Sequence, residues 1–266
     1  METVRSKDGT SIAFDRLGTG PALILVGGAF QYRAIDPRTA EIAELLAARF
    51  TVVHYDRRGR GDSGDTAPYA KEREIEDLDA LINEAGGSAF VFGMSSGAAL
   101  TLDAVARGLA IPKLAVYEPP FIVDDTRPPA PEDYLARFNE LVATGRRGDA
   151  VALFLTQGAG VPAEVVAQMR EQPFWPAFEA VAHTLPYEAS FMEGTTSGKP
   201  LPAERWAAVT IPALVLDGGA SPAWMRHAAQ ALADVLPNAQ RRTLEGQQHD
   251  VAPEALVPVL MEFFAG

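Results

Sequence analysis

The segment Gly93-Met94-Ser95-Ser96-Gly97 constrains the chain more than any other. It directly follows Ala89–Phe92, a short continuous apolar run, and leads into Ser96–Leu109, which reads as a helix. An apolar run of that length bounded by glycine fits a strand buried on both faces. A serine at the tip of so tight a strand-to-helix turn must take a strained backbone, and glycines two residues before and after it give the turn room. Its side chain then stands at the edge of a sheet, above a helix N-terminus whose amides and dipole favour developing negative charge. The plainer reading is a glycine-rich packing turn, which the strand–turn–helix context disfavours.

The rest of the chain repeats the alternation. Ala22–Val26, Phe50–His54 and Lys113–Tyr117 are further apolar runs, and Thr10–Leu17 ends in the turn cluster Gly18-Thr19-Gly20-Pro21. Between them, Asp36–Arg49 carries Ile42, Leu45 and Leu46 at helical spacing. Lys71–Ala85 does the same with Ile75, Leu78, Leu81 and Ile82 before Gly86-Gly87 stops it. Strands alternating with helices predict an α/β fold with a mostly parallel sheet flanked by helices. From Pro119 to about Arg205 the strand signal vanishes. A proline-rich stretch, 126–131, precedes helical segments at Glu132–Ala143, Asp149–Thr156, Ala163–Glu171 and Trp175–His183. The strand signal returns at Ile211–Leu216, followed by a helix (Ala223–Leu236), a short strand (Arg241–Leu244) and a closing helix (Pro253–Phe264). The expected organisation is a core of residues 1–118 and 206–266, interrupted by an all-helical insertion of 119–205. With 266 residues, 47% of them apolar, there is chain enough for a sizeable core.

Composition narrows the function. The chain has no cysteine, which excludes disulfides, thiolate metal sites, iron–sulfur clusters and a cysteine nucleophile; no metal site is expected. Acidic residues outnumber basic ones by 35 to 23, a net charge of −12. No nucleic acid and no anionic membrane is expected as a partner, since either needs a basic footprint. Met1–Thr10 has no apolar signal core, and no run approaches the ~20 residues of a membrane helix. The default expectation is a cytoplasmic protein; oligomeric state leaves no trace in the sequence.

A serine hydroxyl is a poor nucleophile unless a base takes its proton. Four histidines are available. His54 falls within a strand run and reads as a buried, satisfied residue; His227 lies mid-helix, and His183 lies among the insertion helices, where packing is the better reading. His249 follows the last short strand through Glu245-Gly246-Gln247-Gln248, a loop at the C-terminal edge of the sheet. In α/β folds, loops at that edge are where ligands and catalytic groups gather.

With these residues in place, nearly the whole chain, Thr10 to Phe264, resembles the α/β-hydrolase family. The resemblance rests on the Ser95 turn, on His249, and on two more segments. Asp56-Arg57-Arg58-Gly59-Arg60-Gly61-Asp62-Ser63 is similar to the family's Asp-x-Arg-Gly-x-Gly-x-Ser loop, whose glycines serve turn geometry. Val26-Gly27-Gly28-Ala29-Phe30 takes the place of its His-Gly-x turn, with Gly27 where the histidine usually stands. By that match, the amides of Ala29 and Ser96 form the oxyanion hole. The family's usual Gly-x-x-Asp acid is missing: in Gly218-Gly219-Ala220-Ser221 the expected position holds Ser221. Glu118, at the end of the strand Lys113–Tyr117, is the leading substitute, because some relatives carry their acid there. Asp217 is the second, and a site without a conventional acid is the third.

The resemblance also makes the insertion a cap over the active site. Its Phe154, Phe174, Trp175, Phe178, Tyr187, Phe191 and Met192 are expected mostly to pack, with a few lining an apolar pocket. The implied function is a cofactor-independent serine hydrolase acting on a neutral, fairly hydrophobic ester, lactone or thioester, with Ser95, His249 and Glu118 as catalytic residues. The alternatives are a cofactor-free lyase, C–C hydrolase, perhydrolase or cyclase on the same site, and a small-molecule-binding protein with an idle triad.

Overall fold

The apolar runs become the strands β3 (Ala22–Val26), β4 (Thr51–Tyr55), β5 (Phe90–Met94), β6 (Leu114–Tyr117) and β7 (Ala213–Gly218) in a computed structural model that describes all 266 residues. With β1 (Glu2–Arg5), β2 (Ser11–Leu17) and β8 (Ala239–Leu244) they form one eight-stranded sheet, ordered β1-β2-β4-β3-β5-β6-β7-β8. From β4 to β8 neighbours are parallel; β1 and β2 join antiparallel at one edge. β1 carries no apolar pattern to read, since an exposed edge strand needs none.

Alternate residues of the central strands feed two cores, one on each face of the sheet. Ile24, Val26, Val91, Leu114 and Val116 pack on the side of α2 (Lys71–Glu84), α3 (Ser96–Ala106) and α9 (Ala223–Val235). Leu23, Leu25, Phe92, Ala115 and Tyr117 pack on the side of α1 (Pro37–Leu46) and α10 (Pro253–Ala265). Burial on both faces is why these strands read as continuous apolar runs. No helix is long and apolar enough to cross a membrane.

Between β6 and β7 the chain forms no strand. It carries α4 (Tyr134–Ala143), α5 (Arg147–Leu153), α6 (Ala163–Met169), α7 (Trp175–Ala180) and α8 (Leu185–Phe191). These helices have their own apolar cluster, which includes Phe138, Val151, Trp175 and Leu185 and takes in Phe30 from the loop after β3. Phe191 and Met192, at the end of α8, turn away from it and join the core beneath the sheet with Trp206.

Candidate active site

Ser95 sits between β5 and α3 with φ 56° and ψ −128°, left-handed backbone that a serine seldom adopts. Its neighbours explain the glycines. A Cβ on Gly93 would come within 2.6 Å of Thr101 Oγ1, and one on Gly97 within 2.6 Å of the Gly27 carbonyl oxygen. The sharp turn therefore closes only with bare backbone on both sides of the serine. The Ser95 amide donates to the Tyr117 carbonyl at 2.9 Å, which ties the turn to the neighbouring strand end.

Glu118 directly follows β6, is fully buried, and also has a positive φ of 45°. Its Oε2 lies 2.8 Å from His249 Nδ1, and its Oε1 accepts the Gly218 amide at 2.8 Å. A carboxylate only accepts, so Nδ1 carries the proton and Nε2 keeps a lone pair. The histidine loop is pinned by the Tyr117 hydroxyl, which donates to the Gln248 carbonyl at 2.6 Å. Gly218 is needed beside it, because any Cβ there would overlap the Gln247 carbonyl. Ser95 and His249 border one cavity of about 370 Å³, and no hydrogen bond joins their side chains.

The two candidate acids face different partners. Asp217 is buried and turned to the adjacent strand, where both its oxygens meet Arg241 at 2.9 Å and Thr243 Oγ1 at 3.2 Å. Burial pushes its carboxyl above the usual range despite the opposing pull of Arg241. Ser221 is buried with its hydroxyl unpartnered. Of the histidines, only His249 reaches the cavity. His54 is buried in β4, His183 lies 3.8 Å from Asp65, and His227 pairs with Asp124 at 2.6 Å.

Ala29 and Ser96 also line the cavity, and neither amide donates to any protein acceptor. A Cβ on Gly28 would stand 2.8 Å from Ser95 Cβ, so the Gly27–Phe30 loop lies directly against the serine. The Gly28 amide is taken by Gln31 Oε1 at 2.5 Å, and Gln31 Nε2 donates to Asp36 at 2.7 Å. Apolar walls come from Ile122, Phe154, Ala189, Met192, Trp224 and Met225. Phe174, one of the aromatic residues singled out in the sequence, is 41% exposed instead, and Tyr187 stacks on Tyr69.

One group of site residues was invisible to sequence reasoning. Arg57, Arg60, Glu74 and Glu188 are all buried beneath the Gly27–Phe30 loop. Arg57 makes a bidentate pair with Glu74 at 2.6 and 2.9 Å and reaches Glu188 at 3.0 Å; Arg60 bonds the other oxygen of Glu188. Burial opposes the Glu188 charge, but Arg57 and Arg60 outweigh it and hold the carboxyl below its usual range. Charges are seldom buried unpaired, yet partners 131 residues apart leave no local pattern to read.

Known proteins resemble the chain throughout. The family model described as alpha/beta hydrolase family matches residues 23–259. The crystal structure of an alpha/beta hydrolase from Sphaerobacter thermophilus DSM 20745 is 61% identical, with a TM-score of 0.90 over 99% of this chain and 100% of that one. An esterase from Thermogutta terrifontis shares the fold at 23% identity and a TM-score of 0.72, over 99% of this chain and 97% of its own. An uncharacterized hydrolase of Bacillus subtilis, YraK, is 34% identical over 103 residues; that match spans 37% of this chain and 37% of its length.

Proposed function

The chain belongs to the alpha/beta hydrolase family, and on that premise we propose that it is a serine hydrolase cleaving an ester, lactone or thioester of a neutral, fairly hydrophobic small molecule. Ser95 Oγ adds to the acyl carbon while its proton passes to His249 Nε2. The carbonyl oxygen becomes an oxyanion held by the Ala29 and Ser96 amides, and Glu118 steadies the imidazolium through Nδ1–H. The adduct collapses, the leaving oxygen or sulfur takes the proton from His249, and an acyl-enzyme remains. Water repeats the sequence in reverse and frees the acid. The helical insertion acts as a cap, with Phe154, Ala189 and Met192 forming part of the acyl pocket.

The observation that carries this reading is that His249, bonded to Glu118 at 2.8 Å, and a serine held at φ 56° border one apolar-walled cavity. The test is labelling with a fluorophosphonate and hydrolysis of p-nitrophenyl esters. Ser95→Ala is expected to abolish both, and His249→Ala to lower kcat by several orders of magnitude while His183→Ala does not. A label mapped to a residue other than Ser95, or equal losses for the two histidine variants, overturns it.

A further inference from the structure

The Gly28–Ala29 peptide is trans, so its carbonyl and its N–H point in opposite directions. The Gly28 carbonyl accepts a hydrogen bond from Arg60 Nη1 at 2.7 Å inside the protein; Arg60 does not line the cavity, although its partner Glu188 does. Whatever fixes that carbonyl fixes the direction of the Ala29 amide on the opposite side of the same plane. We propose that Arg60 is a positioning residue of the oxyanion hole, clamping the Gly28 carbonyl so that the Ala29 amide faces the reacting carbonyl, and that Glu188 on the helical insertion holds Arg60 in place. This rests on the serine-hydrolase reading and adds the device that sets one of its two oxyanion donors.

Three observations converge on it. Arg60 is almost wholly buried and is spanned between the loop carbonyl on one side and Glu188 on the other. Arg57 extends the same arrangement by one residue, reaching the Gly27 carbonyl at 3.2 Å while bonding Glu188. Phe30, the next residue after Ala29, has φ 63°, and its ring stacks on Phe178 at 4.4 Å and meets Phe154 edge-on at 5.2 Å. Both aromatic partners belong to the insertion. The loop is thus gripped from below by a charge relay to α8 and from its far end by the insertion's apolar cluster. A cationic donor on the carbonyl also polarises the amide it shares a plane with, and so strengthens the N–H as a donor. The oxyanion hole is therefore complete only when the insertion is seated on the sheet domain.

The experiment compares Arg60→Met and Glu188→Gln with the wild type on a p-nitrophenyl ester, with active sites counted by fluorophosphonate titration. Arg60→Met is expected to lower kcat per active site by roughly 10- to 1000-fold, the upper end being the ~10²–10³ of one oxyanion donor lost outright, with KM held within about threefold. An alkyl trifluoromethyl ketone, which adds Ser95 Oγ to its carbonyl and leaves an oxyanion in the hole, is expected to lose affinity by a similar factor. The pH–rate profile stays in place because His249 and Glu118 are untouched. Glu188→Gln keeps the clamp but loosens its anchor, so a smaller loss of the same kind is expected; this variant carries the test if Arg60→Met does not fold. Folded variants that keep wild-type kcat and ketone affinity overturn the proposal, as do losses confined to KM. Failure of the hydrolase reading looks different: the wild type itself would show no Ser95-dependent turnover.

Discussion

Glu118→Gln asks whether the carboxylate beside His249 does the work assigned to it. The site presents two donors to the two carboxylate oxygens, the Gly218 amide and His249 Nδ1–H, each at 2.8 Å. An amide offers one acceptor and one donor. With its oxygen on Gly218, its NH₂ faces Nδ1, which must then give up its proton; Nε2 becomes the protonated nitrogen and can no longer accept from Ser95. With its oxygen on Nδ1, the NH₂ confronts the Gly218 amide in a fully buried place. Leaving that donor unsatisfied costs about 1–3 kcal/mol. In addition, a charge-assisted bond of about 1.5–3 kcal/mol to the imidazolium is replaced by a neutral one of about 1 kcal/mol. The sum is about 1.5–5 kcal/mol, or roughly 10- to 5000-fold in kcat; the equivalent change in a serine protease costs ~10⁴. Steady-state kinetics on a p-nitrophenyl ester should show that loss with KM within about twofold. Asp217→Asn is the control. It disrupts the pair with Arg241, so the melting temperature falls while kcat per active site holds. A severe loss from Asp217→Asn together with a mild one from Glu118→Gln would refute the reasoning.

Gly28→Ala puts a methyl group 2.8 Å from Ser95 Cβ and 3.1 Å from the Met94 carbonyl. The loop must shift, and kcat is expected to fall by roughly 10²–10³, as for a lost oxyanion donor; wild-type turnover would show that the loop yields freely. Lengthening a neutral acyl chain into the apolar walls is expected to raise kcat/KM by roughly fourfold per methylene, from ~0.8 kcal/mol each, until the cavity is full. A flat profile or a preference for anionic acyl groups counts against that pocket assignment. Burial lowers the pKa values of His54 and His183 below the ordinary histidine value of 6.5. Below that value the unfolded chain binds more protons than the native one, so the melting temperature should hold above pH ~6.5 and fall as pH drops through it. A melting temperature that rises between pH 7 and 5.5 is the contrary result.

Much of this was legible in the sequence because its causes are local. Strands buried on both faces leave unbroken apolar runs, and the backbone at Ser95 demands glycines within two residues on each side. The choice between Glu118 and Asp217 was not local. Both end strands in the same sheet, and only the side-chain partners, His249 for one and Arg241 for the other, tell them apart. The Arg57–Arg60–Glu188 group lay further out of reach, since hydropathy assigns such residues to solvent and their burial depends on contacts between distant parts of the chain.

The imidazole bonds a carboxylate that directly follows β6, and under the proposed triad this divides the work between two neighbouring strand ends. The end of β7 supplies one backbone amide, from Gly218, to that carboxylate, and it needs a bare Cα there to admit the histidine loop. Beyond Gly218 it bears no charged group of the site and leads straight into Trp224 and Met225, which wall the cavity. The Ala220 amide still donates to the Gln247 carbonyl of the histidine loop at 2.9 Å, so the freedom lies further on: Trp224 and Met225 can vary in bulk, and reshape what the cavity admits, without touching the contacts that hold His249 and Glu118. Under the proposed triad, substrate range and chemistry are separable by position, which makes Trp224 and Met225 the place to alter selectivity first.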